Sequence, residues 1–106
     1  MTTATAYSSH APSRAELDAL PGDTIVEFGA NWCGICQGAQ ASIAKALEPH
    51  AGLRHLKIED GPGRPLGRSF KVKLWPTLIL MRDGAEVARV VRPASATDIE
   101  DAFATL

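Results

Sequence analysis

Few residues in this chain carry obvious chemistry, and the pair that does sits close together. Cys33 and Cys36 are the only two cysteines among 106 residues, and just Gly34 and Ile35 separate them. A disulfide stabilises a fold most when it closes a long loop. This pair would close nearly the shortest loop available, so stapling is a poor explanation for it. Disulfide exchange fits better. It needs a thiolate that attacks a sulfur through a mixed disulfide, and a second thiol close enough to resolve that intermediate. Cys-x-x-Cys at a helix start meets both needs, because free N–H groups and the helix dipole favour negative charge on the first sulfur. The spacing assigns Cys33 as the exposed nucleophile at the N-cap side. Cys36, one turn inside and more buried, becomes the resolving thiol.

Other uses of paired cysteines fit less well. A structural zinc site normally takes four ligands; no further cysteine exists, and His10, His50 and His55 lack the usual paired spacing. No metal ligands are therefore assigned. Covalent haem attachment requires His directly after the second Cys, and Gln37 stands there. Two inert core cysteines remain an open reading, since free Cys is often simply buried.

The flanking elements must deliver the pair to a helix start. Thr24 to Ala30 is β-rich and apolar on both parities except at Glu27, as in a strand buried on both faces. The cysteines follow directly. Cys36 to Glu48 carries Ala39, Ile43, Ala44 and Leu47 as a helical stripe. Upstream, Ser13-Arg14-Ala15-Glu16 fits a capping box for a short helix bearing Leu17 and Leu20, broken by Pro21-Gly22-Asp23. Downstream, Leu53 to Glu59 alternates, with Leu56 and Ile58 on one side and His55, Lys57 and Glu59 on the other. Asp60 to Gly63 reads as a turn, and Pro65 opens a short helix ending near Phe70. Thr77–Arg82 and Glu86–Val91 read as strands around an Asp83-Gly84 hairpin. Ser95 caps a last helix with Ile99, Ala102, Phe103 and Leu106 on one face. Thr3–Ser9 adds an edge strand. The expected class is α/β, with a central mixed sheet flanked by helices on both faces.

Composition sets limits on function. The length suits one compact domain, residues 1–106, with 1–10 either flexible or part of that edge strand. Hydrophobic residues at 45% and charged residues at 22% allow a core without metals or several disulfides. A net charge of −1 argues against a nucleic-acid binder and supplies no polybasic membrane anchor. Met1 to Ala11 has no basic stretch followed by an apolar one, so a secretory signal is not expected. No run approaches transmembrane length. A cytoplasmic location follows as the expectation.

Val26-Glu27-Phe28-Gly29-Ala30-Asn31-Trp32-Cys33-Gly34-Ile35-Cys36 resembles the strand-to-active-site segment of the thioredoxin family. Trp75-Pro76-Thr77 resembles that family's cis-proline loop, followed by the apolar strand Leu78-Ile79-Leu80-Met81. Asp83-Gly84 and the final helix also match. The likeness runs from about Ala11 to Leu106, as one small thioredoxin-like domain would require. It implies a rigid aromatic wall at Trp32 and a cis Trp75–Pro76 bond, although pattern alone would favour trans. It places Trp32, Gly34, Ile35, Trp75, Pro76 and Arg92 at the substrate surface. Glu27 stands where the family has a buried Asp. Desolvation should raise its pKa, so that it takes a proton from Cys36 through water. The family sets a Lys near this carboxylate. Lys57 is assigned that role, with His55 the alternative, since a two-residue shift keeps the same strand face.

Several positions depart from the family pattern. Ile35 replaces the Pro between the cysteines, Gly29 stands where Trp is frequent, Gln37 where Lys is, and Ala41 where a helix-kinking Pro is. Arg92 lies near the Gly that keeps the substrate groove open. The resemblance implies a reductant of protein disulfides. It would need no bound cofactor, would act as a monomer, and would be recycled by a thioredoxin-reductase-like flavoprotein. Two alternatives stand beside it: an exported oxidase or isomerase, and a thioredoxin-fold binding or assembly factor with incidental cysteines.

Overall fold

The computed structural model describes residues 6–106. Four strands form one sheet in the order β2-β1-β3-β4. They are β1 (Asp23–Gly29), β2 (Arg54–Glu59), β3 (Thr77–Arg82) and β4 (Ala85–Val91). β1 pairs parallel to β2 and antiparallel to β3, and β3 pairs antiparallel to β4. The parallel pair requires a crossover, which α2 (Gly34–Leu47) and a 3-10 turn at Glu48–His50 supply. The remaining helices are α1 (Arg14–Asp18), α3 (Pro65–Ser69) and α4 (Ala96–Ala102).

β1 is central and buried along its whole length after Asp23. Its alternation divides the core in two. Val26 and Phe28 pack with Leu17, Leu66 and Phe70 on the side of α1 and α3. Ile25 packs with Ala39, Ile43, Ala46, Ile99 and Phe103 on the side of α2 and α4. Helices on both faces of a mixed sheet are the expected architecture. By the same alternation Glu27 shares a face with Ile25 and is directed toward α2.

The caps expected from sequence are present. Ser13 and Glu16 form a reciprocal capping box on α1, and Ser95 accepts from the Asp98 N–H on α4. Asp83 (φ 52°) and Gly84 (φ 85°) both adopt left-handed conformations, the backbone that a two-residue hairpin turn demands. Strand ends differ from expectation by one residue: β1 begins at Asp23 and stops at Gly29, β2 starts at Arg54 and β4 at Ala85.

Of the edge strand expected over Thr3–Ser9, Thr3 to Thr5 lie outside the described residues. The remainder makes a single parallel bridge, Ser8 to Ile58. Its two hydrogen bonds, Ser8 N–H to the Lys57 carbonyl and Glu59 N–H to the Ser8 carbonyl, are each 2.9 Å. The N-terminal segment thus covers the open side of β2 and carries Tyr7 inward to 5% exposure.

Candidate active site

β1 ends at Gly29, and Ala30 to Trp32 turn the chain into α2. The Cys33 N–H donates to the Ala30 carbonyl at 3.1 Å, which closes that turn. Cys33 is the N-cap of α2, with extended backbone, and its sulfur accepts the Cys36 N–H at 3.2 Å. Cys33 thus occupies the cap, as the Cys-x-x-Cys spacing predicts, and the helical stretch expected from Cys36 starts two residues earlier, at Gly34. An N-cap sulfur takes one of the donors that a helix start leaves unpaired. Both cysteines are free thiols. Cys36 is fully buried, as expected. Cys33 keeps only 8% of its surface exposed, less than expected, because Ala30, Tyr7 and the Trp75 ring pack around the pair.

Burial pushes the Cys36 thiol up to about 11, with its interaction with Cys33 adding to the shift. The buried sulfur thus holds its proton at neutral pH, as a resolving thiol must until it is called on.

The rim of the site is aromatic. The Trp75–Pro76 bond is cis. Trp32 is 74% exposed and meets the Trp75 ring edge-on, with centroids 5.6 Å apart. Trp75 is fixed from behind, its Nε1–H donating to Asp60 Oδ2 at 2.8 Å. Arg92 lies beside this loop. Its Nε–H donates to the Trp75 carbonyl and its backbone N–H to the Pro76 carbonyl, both at 2.9 Å. Arg92 holds φ at 49°, a glycine-like backbone. Gly34 is exposed and open around its Cα, and Ile35 is half-exposed. The structure thus packs Trp75 against the cysteines, sets Trp32 against Trp75 and ties Arg92 to the Trp75–Pro76 loop, while Gly34 and Ile35 form the first turn of α2 between the two cysteines.

Beneath the pair lies Glu27, with no exposed surface. His55 Nε2 meets Glu27 Oε1 at 2.9 Å, Gln40 Nε2 donates to Oε2 at 3.1 Å, and the Tyr7 hydroxyl donates to that same Oε2. Lys57 is the cross-strand partner of Glu27 and donates to Gln40 Oε1 at 2.5 Å. Both basic residues weighed from sequence therefore reach this cluster, His55 through a direct contact with the carboxylate.

One expectation is corrected here. Desolvation does push the Glu27 carboxyl up, but His55, Tyr7 and Gln40 through hydrogen bonds, and Lys57 through its charge, together outweigh it. The group is held below the ordinary carboxylate range, not above it, and stays ionised. Strand burial was legible in the sequence; the ring of donors was not.

Tyr7, Gln40 and Asn31 are the site residues that sequence reasoning missed. Gly29 was the available signal. A Cβ there would lie 2.6 Å from the Tyr7 ring carbon Cζ, 2.8 Å from its hydroxyl and 2.9 Å from Cys36 Sγ. The position where the family often carries Trp is empty in this chain, and Tyr7 fills the hollow from the N-terminal segment. Asn31 holds that segment, accepting the Tyr7 N–H at 2.7 Å and donating to its carbonyl at 3.2 Å.

Two free cysteines, the first capping α2 and accepting the backbone N–H of the second, have the arrangement of a thiol–disulfide oxidoreductase. A family model described as Thioredoxin matches residues 8–105. The chain belongs to the thioredoxin family. It is 58% identical to thioredoxin 2 of Pseudomonas aeruginosa PAO1, whose reduced form superposes with a TM-score of 0.87 over 97% of this chain and 95% of that one. It is 38% identical over 72 residues to a thioredoxin of Chlamydia pneumoniae, covering 66% of this chain and 69% of that protein. A rice H-type thioredoxin is 30% identical over 67 residues, 63% of this chain, and the chain spans 55% of that relative's length.

Proposed function

We propose that the protein is a cytoplasmic dithiol reductase of protein disulfides, and that residues 1–106 act as one domain. Cys33 attacks a substrate disulfide, forming a Cys33–substrate mixed disulfide and releasing one substrate thiolate. Cys36 then attacks the Cys33 sulfur, which forms the intramolecular disulfide and releases the second substrate sulfur. The substrate gains two electrons and the protein loses two. The observation that supports this order is the asymmetry of the two sulfurs. Cys33 caps the helix at the aromatic rim, whereas Cys36 is sealed one turn inside and protonated.

The other site residues take roles consistent with this order. Trp32, Trp75 and Pro76 form the face on which an extended substrate lies, with Gly34 and Ile35 at its floor. Arg92 holds the Trp75 carbonyl, the acceptor that such a substrate would use. Glu27 stays charged beneath Cys36 and receives its proton. Lys57 and His55 keep that carboxylate ionised. A flavoprotein of the thioredoxin-reductase type, drawing on NADPH, returns the disulfide to the dithiol, and the protein works as a monomer with no cofactor of its own.

Cys36→Ser removes the resolving thiol. The expected result is accumulation of Cys33 mixed disulfides with target proteins, visible as reductant-sensitive bands on non-reducing gels. The native protein should reduce insulin disulfides. Absence of both effects would overturn the reductase reading.

A further inference from the structure

The mechanism leaves one step without a route. Cys36 must lose its proton as it attacks, yet it is fully enclosed and holds that proton tightly. Glu27 lies below it, equally enclosed. The hydroxyl between them belongs to Tyr7, the only tyrosine in the chain.

We propose that Tyr7 relays the Cys36 proton to Glu27, and that His55 carries it onward from Glu27 to the surface groove between α2 and β2.

The geometry supports each link. The Tyr7 hydroxyl and Cys36 Sγ border the same hollow, lying 2.8 and 2.9 Å from the Cβ that Gly29 lacks, with no side chain from Gly29 between them. That hydroxyl already donates to Glu27 Oε2. As Cys36 attacks, its S–H proton passes to the Tyr7 oxygen while the Tyr7 O–H proton passes to Glu27. The tyrosine ends neutral, as it began. Burial and the charge of Glu27 push the phenol's pKa far up, so it is never lost as phenolate.

Glu27 is a poor resting place for a proton, since four neighbours hold it ionised. Its second oxygen, Oε1, meets His55 Nε2 at 2.9 Å. His55 keeps 27% of its side chain exposed and lines a groove of about 750 Å³ together with Gln40, Ala44 and Lys57. In the tautomer that leaves Nε2 unprotonated, the imidazole takes the carboxyl proton on Nε2 and releases its Nδ1 proton to solvent, then regains the Nε2–H donor form by exchange with water. The other groups facing this path are Gln40, which donates to both Tyr7 and Glu27, and Lys57, which donates to Gln40. Cys33 faces its upper end.

The position of Tyr7 is enforced. Asn31 binds its backbone on both sides, and the next residue, Ser8, is bridged to β2.

This proposal rests on the reductase reading, and the two can fail separately in a stopped-flow reaction with dithiobis(nitrobenzoate). The first thionitrobenzoate released reports attack by Cys33, and the second reports resolution by Cys36. Native protein that released neither would overturn the reductase reading itself. In Tyr7→Phe the first release should stay within about twofold of native. The second should slow by about tenfold or more at neutral pH, the low end of general acid–base contributions. The deficit should close as pH rises toward the ionisation of Cys36 itself. An unchanged second release, or a deficit equal at every pH, would overturn the relay.

His55→Ala should slow the same phase, and imidazole in the buffer should restore it; slowing without rescue would overturn the exit through His55. If Tyr7→Phe does not fold, 3-fluorotyrosine incorporated throughout the chain alters position 7 alone. It should shift the second release by at least about twofold without changing the first, because relay rates follow phenol acidity. An unaltered second release in that protein would overturn the proposal.

Discussion

At the scale of single residues, Arg92 sits where its backbone costs most. A non-glycine residue in the left-handed region is disfavoured by about 1 kcal/mol or more. Arg92 offsets this with two hydrogen bonds to the cis-proline loop, one to each of the Trp75 and Pro76 carbonyls. The first occupies an acceptor on the substrate face. Arg92→Gly should therefore free that carbonyl and relieve the backbone together. We expect kcat/KM for a protein disulfide to rise by roughly fivefold, the equivalent of about 1 kcal/mol of hydrogen bonding. Steady-state insulin reduction checks this, and an unchanged or lower kcat/KM would show that the guanidinium does not obstruct the substrate. Resemblance placed Arg92 near the groove. The contact with the Trp75 carbonyl was not legible, because it depends on where a hairpin end meets a loop 17 residues away in sequence. Glu27 was similar: its burial followed from a two-sided apolar strand, while its charge state depended on Tyr7 and His55, which come from other segments.

At the scale of elements, the end of β1 is built around an absence. Gly29 carries no side chain, and the Tyr7 ring and the Cys36 sulfur occupy the space one would need. Gly29→Ala should overpack this junction. We expect a loss of about 1–3 kcal/mol and a melting temperature lower by roughly 5–15 °C in a calorimetric scan. Gly38 provides the control, since it lies on α2 with nothing within 4 Å of an added Cβ. Gly38→Ala should raise stability by about 0.5–1 kcal/mol through helix propensity alone. Equal effects at the two positions would mean that the hollow over Gly29 is not tightly filled. Elements were the most legible part of the sequence. Two-sided hydrophobicity found β1, a three-to-four residue stripe found α2, and Ser13, Ser95 and Asp83-Gly84 marked their caps and turn. The N-terminal segment was the weak point: its polar, threonine-rich pattern gives no periodic signal, and one bridge to β2 is too little to register as a strand.

At the scale of the whole molecule, the buried carboxylate couples stability to acidity. Glu27 is held below the ordinary value of 4.5 when folded, so the unfolded chain binds more protons. Its contribution is complete above that ordinary value and is lost as pH falls through the folded one. Asp23, lowered by Arg82, acts in the same direction, but it lies near solvent and its effect is screened. Denaturant titrations at falling pH should show native stability declining below about pH 4.5. In Glu27→Gln that acid decline should be shallower, whatever the variant's stability at neutral pH. An identical acid limb in both proteins would mean that Glu27 is not ionised in the folded state.

The tie between Tyr7 and Asn31 has a practical edge. The family match begins at residue 8, one position beyond the tyrosine. A chain shortened to that boundary would keep both cysteines, the cis proline and all four strands, and would satisfy every motif by which such proteins are recognised. It would also lack the ring that roofs Gly29 and a donor to Glu27.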